Sequence, residues 1–278
     1  MIQAPPTLAA NLKWLFSEWP LAERFGAAAA CGFRAIELSL PYALPIRQLR
    51  QSLEQHQLTY AYLLAAAGDW DAGDRGLACV PGRQAEFRDG VRQAIEYASA
   101  LGGPLVHAAA GVRPDGADPA ECQALLVENL RWACRAAAEQ GLRVVLEPVC
   151  RRDYPRYSVP NLATGQQVLA DVGAANLGLV LDLHHVQWEE GAEPDAVHRT
   201  LAAAMPQLWH VQIALAPDRQ GPDQAGYDIA ATLAHAGNLG YQGVFSCEYR
   251  PAAHTLDSLR WARPYGIQVP KALRETST

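Results

Sequence analysis

Short apolar runs alternate with longer amphipathic stretches along nearly the whole chain. Runs of five or six largely apolar residues occur at 8–12, 35–40, 59–64, 105–109, 143–147, 177–182, 209–214 and 244–248. Their length and their spacing predict buried strands. The intervening stretches read as helices. Residues 21–31 form one, residues 84–101 place Phe87, Val91, Ile95 and Ala98 at helical spacing, and residues 120–140 do the same with Leu125, Leu126, Leu130 and Ala133. Gly32, Gly102 and Gly141 follow helical runs where a left-handed C-cap is wanted. Eight strand–helix units predict an α/β protein, a (β/α)8 TIM barrel forming a single domain over residues 1–278. An open doubly wound sheet usually carries a glycine-rich phosphate loop after its first strand. Neither GxGxxG nor GxxxxGK[ST] occurs in the chain.

Polar residues end the last four strands. The fifth ends in Glu147 ("VVLEP"), the sixth in Asp182 ("LVLDLHH"), the seventh carries Gln212 ("WHVQIA") and the eighth ends in Glu248 ("FSCEY"). They are spaced by about 30 to 36 residues, one βα unit each. A lone buried carboxylate costs several kcal/mol, and three together raise one another's pKa. A divalent cation removes both penalties. Three carboxylates and an amide oxygen form a hard, all-oxygen set that favours Mg2+ or Mn2+ over Zn2+. Such an ion polarises a substrate carbonyl and its neighbouring hydroxyl. Taken singly, each of the four also suits a cap or turn just past a strand; four on consecutive strands point to a site.

The neighbouring histidines divide. His185 is read as a substrate contact, and His184 as a support for its loop. His210, two residues before Gln212 on the same face, reads as an interior histidine. His107 lines the pocket or simply packs. Two connections, 65–83 and 214–227, are long for βα loops and leave the C-terminal strand ends, so both are candidate lids. Trp70, in the first, is either a lid residue over substrate or a local plug. Other motifs fail. "DWDAGD" begins like a Ca2+ loop, but Val80 stands at the closing glutamate position. HExxH is absent, and Ser39 and Ser246 lack a GxSxG context.

Composition narrows the partners. A net charge of −6 argues against nucleic acid and anionic membranes. No apolar run approaches the roughly 20 residues of a membrane helix. Six cysteines with no CxxC pair, and no secretory pattern near Met1, point to reduced thiols in the cytoplasm. The polar tail 271–278 is expected to fray. Self-association into a homo-oligomer is left open.

The chain resembles the hydroxypyruvate isomerase family, a branch of the xylose isomerase-like barrels that includes 2-oxo-tetronate isomerases. The resemblance runs from "ANLKWLF" to "CEYRP" and is most specific in "ACGFRAIELSLPY", "AGDWDAGDRGLACVPGRQAEFRDGV", "LVENLRWA", "LEP" and "HVQ". It implies divalent-metal ligands at Glu147, Asp182, Gln212 and Glu248, with Glu147 and Glu248 as the catalytic acid/base pair. It further implies substrate contacts at His185 and Arg219, and a structural or pocket-lining role for Glu37. The activity implied is aldose–ketose type isomerisation of a small hydroxy-oxo acid through a cis-enediolate. The chain departs from the family at Cys150, where asparagine is usual after "EP", at Leu215, where aspartate is usual, and within the loop "PDRQGPDQAGYD". These departures keep two alternatives in view: a sugar 3-epimerase on the same metal site, and a non-catalytic barrel that binds a sugar acid. An abasic-site endonuclease would need a histidine-rich multi-zinc site and a basic surface.

Overall fold

The computed structural model describes residues 6–275. Nine parallel strands make one sheet: β1 (Thr7–Asn11), β2 (Ala35–Glu37), β3 (Thr59–Tyr60), β4 (Leu63–Leu64), β5 (Leu105–His107), β6 (Arg143–Leu146), β7 (Leu177–Asp182), β8 (Leu208–Ile213) and β9 (Val244–Cys247). Their order is β3-β2-β1-β9-β8-β7-β6-β5-β4. The two ends of this order are pieces of one barrel strand. The single strand expected at 59–64 is split, with β3 pairing β2 and β4 pairing β5. The Leu64 amide donates to the Ser39 carbonyl (2.7 Å), while the next amide, Ala65, donates to the His107 carbonyl (2.9 Å). The split strand therefore closes an eight-position barrel. The runs expected at 35–40 and 105–109 pair only as far as Glu37 and His107, where the chain turns off to form loops.

Ten α-helices lie among the described residues: α1 (Leu21–Ala30), α2 (Ile46–His56), α3 (Gln84–Leu101), α4 (Pro119–Ala138), α5 (Leu162–Val172), α6 (Leu183–Glu189), α7 (Pro194–Ala204), α8 (Pro222–Ala225), α9 (Ile229–Asn238) and α10 (Lys271–Glu275). The helix expected at 84–101 keeps its bounds and ends at Gly102, whose φ of 68° is the left-handed cap a side chain would oppose. After β9 the chain forms a 3-10 helix, Thr255–Tyr265, interrupted by Pro264. Lys271–Glu275 is helical, and Arg274 pairs with Asp257 at 2.9 Å; residues 276–278 lie outside the described residues.

Two apolar layers follow from the period-2 alternation of strands. Ala9, Ala35, Ala61, Tyr62, Leu105, Val145 and Val180 form a cluster that packs separately from the main core. The alternate residues, such as Ala10, Ile36, Val144, Leu179 and Leu181, belong to the main core with α1 to α5. Two residues beyond Ala9, Ala35, Leu105, Val145 and Val180, the same face ends in Asn11, Glu37, His107, Glu147 and Asp182. Alanines on β1 and β2 oppose larger residues on β5 to β7, which fits the interior of a small barrel.

The β7–β8 pair carries one irregularity. Leu179 faces Leu208, but Val180 faces His210, so Trp209 is an extra residue on β8. Past this bulge, Asp182 and Gln212 are directly paired. Gly178 makes room for the displaced ring: a Cβ there would lie 2.4 Å from the Trp209 indole. The six cysteines are buried free thiols. No helix among the described residues is long and apolar enough to cross a membrane.

Candidate active site

The polar strand ends open into one cavity of about 930 Å3, lined among others by His107, Glu147, His185, Gln212, Arg219 and Glu248. Each is held by the element that carries it. Asp182, fully buried at the end of β7, caps α6 by accepting from the His184 amide (2.9 Å). That cap fixes the first turn of α6 and brings His185 over the strand ends. His185 Nε2 lies 3.7 Å from Glu147 Oε1 and 3.8 Å from Asp182 Oδ2.

Arg219 arrives from the loop after β8. Its guanidinium donates to Asp182 Oδ2 (2.6 Å) and to His185 Nε2 (2.9 Å). Its backbone is left-handed, φ 55°, a conformation that costs a non-glycine residue about 1–3 kcal/mol. Reciprocal amide bonds between Leu215 and Gln220 (2.9 and 2.7 Å) close the loop, and the Arg250 amide donates to the Arg219 carbonyl (2.7 Å). The loop is thus a preformed mount. Leu215, where the family has aspartate, is fully buried at its base.

Glu37 lies beneath the cavity floor and is fully buried. It accepts from Asn11 Nδ2 (2.7 Å), His210 Nε2 (2.7 Å) and Gln212 Nε2 (2.8 Å). Its burial and these bonds are in keeping with the structural role that the resemblance implies for Glu37, and His210 is buried in the interior. Because Gln212 spends its amide nitrogen on Glu37, its oxygen is oriented, and that Oε1 is buried with no hydrogen-bond partner. His107 lies beneath Glu147, with Nδ1 3.8 Å from Glu147 Oε2. Tyr62, which sequence reasoning missed, hydrogen-bonds His107 Nδ1 and stacks on His210 at 5.0 Å. Its inward position in "TYAYLL" was the available signal. Trp14, also missed, donates from Nε1 to Glu248 Oε1 (3.3 Å).

Electrostatics match the geometry. Burial, reinforced by Glu248 and Asp182, pushes the Glu147 carboxyl well above its ordinary range. Burial pushes Glu248 up to about 8; Arg219 and Lys13 oppose the rise, and Glu37 and Asp182 add to it. Burial, with Arg219 and His184 alongside, pushes His185 well below its ordinary value, so the ring is neutral. An orphaned amide oxygen and crowded carboxylates are what a divalent cation would satisfy. Donor atoms of Glu147, Asp182 and His185 already lie within 4.8 Å of one another. The residues therefore fit the ion that the sequence resemblance implies.

The mouth is cationic and aromatic. The Arg75 guanidinium sits 4.4 Å over Trp70, and Lys13 and Arg250 flank Trp14 at 5.0 and 4.8 Å. Trp70 is 37% exposed and is among the residues that line the cavity.

Comparison with known proteins follows the same lines. The family model described as "Xylose isomerase-like TIM barrel" matches residues 25–265. A 2-oxo-tetronate isomerase of Cupriavidus necator is 42% identical over 260 residues, 94% of this chain and 98% of the relative. A hydroxypyruvate isomerase of Escherichia coli is 37% identical over 259 residues, 92% of this chain and 98% of the relative. The crystal structure of AP endonuclease, family 2, from Brucella melitensis superposes with a TM-score of 0.89 at 35% identity, covering 94% of this chain and 99% of that one. The chain belongs to the xylose isomerase-like TIM barrel family and, within it, to the branch of isomerases named for hydroxypyruvate and the 2-oxo-tetronates.

Proposed function

We propose that this protein is a divalent-metal-dependent isomerase of a small hydroxy-oxo acid, hydroxypyruvate or a 2-oxo-tetronate. The observation that carries the reading is the convergence of Glu147, Gln212 and Glu248, with Asp182 beneath them, on one cavity. Glu147, Asp182, Gln212 and Glu248 would hold Mg2+ or Mn2+. When bound, that ion supplies Lewis-acid polarisation of the carbonyl and the adjacent hydroxyl oxygen.

The chain's own groups do the rest. One glutamate takes the proton from the hydroxyl-bearing carbon, which leaves a cis-enediolate of the substrate. A proton is then delivered to the former carbonyl carbon, from the same carboxyl or from the other glutamate, and the hydroxyl proton passes to the former carbonyl oxygen. Atoms and charge balance, and hydroxypyruvate becomes tartronate semialdehyde. A carboxyl whose pKa is raised toward neutrality is suited to take and return a proton. His185 lines the cavity and holds Arg219, and Arg219 with the cations of the mouth favours a carboxylate-bearing ligand.

The test is proton exchange followed by NMR in D2O with Mg2+ or Mn2+. Wild-type protein is expected to exchange the substrate α-proton and to form product. Glu147→Gln and Glu248→Gln should each slow exchange by about 100-fold or more. Undiminished exchange in both variants would overturn the assignment.

A further inference from the structure

Beside the oxygen-rich centre lies a second cluster of different chemistry. Cys150, Asp153, His184 and His185 each offer a ligand atom, and these atoms all lie within 4.8 Å of one another. Cys150 Sγ is 3.2 Å from His185 Nδ1, His184 Nε2 is 3.2 Å from Asp153 Oδ2, and Asp153 Oδ2 is 3.7 Å from His185 Nδ1. A tetrahedral zinc ion has bonds of about 2.0–2.3 Å to nitrogen, oxygen and sulfur, so its donors sit about 3.3–3.6 Å apart. These three separations bracket that range, and every other pair of donors lies within 4.8 Å. We propose that Cys150, Asp153, His184 and His185 form a second metal site, selective for a zinc-class ion.

Local structure assembles the four. The turn after β6 places Asp153 next to Cys150, with the Asp153 and Tyr154 amides both donating to the Cys150 carbonyl (3.2 and 3.1 Å). The two histidines are neighbours on the first turn of α6, held there by the Asp182 cap. Glu189, at the far end of α6, clamps this turn to the helix by accepting from the Arg151 amide (2.6 Å) and the Arg151 guanidinium (2.7 Å). Cys150, His184 and His185 are buried, whereas the Asp153 side chain is 29% exposed. Asp153, His184 and His185 line the main cavity, which gives an ion its route in.

The donor set decides the ion. One thiolate, two imidazoles and one carboxylate are softer than the all-oxygen centre, and they discriminate against Mg2+. The ion would displace the Cys150 thiol proton to solvent. The site also shares a residue with the reaction centre. Arg219 can only donate, so its bond to His185 Nε2 leaves the ring proton on Nδ1, facing Cys150. With the ion on Nδ1, that proton moves to Nε2, which becomes a donor toward the centre and no longer accepts from Arg219. The proposal does not depend on the isomerase reading.

The test uses Co2+ as a spectroscopic stand-in for zinc, added to protein already equilibrated with excess Mg2+. One equivalent should give a thiolate-to-cobalt charge-transfer band in the near ultraviolet together with intense tetrahedral visible bands, and Zn2+ should displace it. Cys150→Ser should abolish the charge-transfer band. Asp153→Asn, at a partly solvated position, should weaken Co2+ binding by about 10-fold or more. Glu248→Gln should keep the band, because it removes a ligand of the other centre only. Absence of the band in wild type, its survival in Cys150→Ser, its loss in Glu248→Gln, or weak octahedral bands alone would each overturn the proposal.

Discussion

Arg219 is the residue on which the centre's electrostatics turn. Its guanidinium lies 2.6 Å from the fully buried Asp182 carboxylate, so it neutralises a charge that would otherwise stand alone. Removing one partner of a buried pair typically costs about 3–5 kcal/mol, because the other is left uncompensated. Arg219→Met should therefore lower the melting temperature of metal-free protein clearly. Mn2+ at saturation should recover most of the loss, since the cation then serves Asp182. Equal losses with and without Mn2+, measured by thermal unfolding, would contradict a metal at Asp182. Glu37 shows the complementary case. It accepts from Asn11 on β1, from His210 and Gln212 on β8 and from Ser39 Oγ (3.4 Å); it orients the Gln212 amide, and its charge adds to the rise of Glu248.

At the scale of elements, the centre depends on the phase between β7 and β8. The bulge at Trp209 shifts the register by one residue and thereby pairs Asp182 with Gln212. A one-residue change of register sends every side chain to the opposite face. Gly178 permits the bulge by leaving space for the indole, and a Cβ there would also come within 2.8 Å of the Gln207 carbonyl. Gly178→Ala should destabilise the protein by about 1–3 kcal/mol, the usual cost of overpacking. It should also weaken Mn2+ binding, because Gln212 moves with β8. Unchanged unfolding and unchanged metal titration would show that the strand pair accommodates the methyl group with the bulge intact.

At the scale of the whole molecule, the barrel brings the carboxylates together at the expense of stability. Glu147 and Glu248 both hold their protons more tightly in the folded chain than in the unfolded one, where a glutamate titrates near its ordinary 4.5. Their contribution to stability is complete below that pH and is lost as pH rises toward about 8, the value for Glu248. A divalent cation acts in the opposite sense, because it binds the ionised forms. At 100 times its dissociation constant a ligand adds about 2.7 kcal/mol, several degrees of melting temperature for a chain of this size. The melting-temperature gain from Mn2+ over EDTA should accordingly be larger at pH 8 than at pH 6. Equal gains at both values would argue that the ion does not meet these two carboxylates.

Much of this was legible in the chain. Apolar runs with period-2 faces and amphipathic helices between them determined an eight-unit barrel, because burial patterns are local properties of sequence. The same alternation put Glu147, Asp182, Gln212 and Glu248 at strand ends, one unit apart. Helix bounds at 84–101 also followed from periodicity alone. Tertiary structure decided what depends on contacts between distant segments. It split the third strand so that each half serves a different neighbour, put Glu37 below the floor, and turned Tyr62 and Trp14 into partners of His107 and Glu248. It ordered residues 271–275 by pairing Arg274 with Asp257. Above all, it joined Cys150 and Asp153 of one loop to His184 and His185 of α6. Sequence supplies each donor separately, but a ligand set is a matter of a few ångströms, and only the folded chain sets those distances.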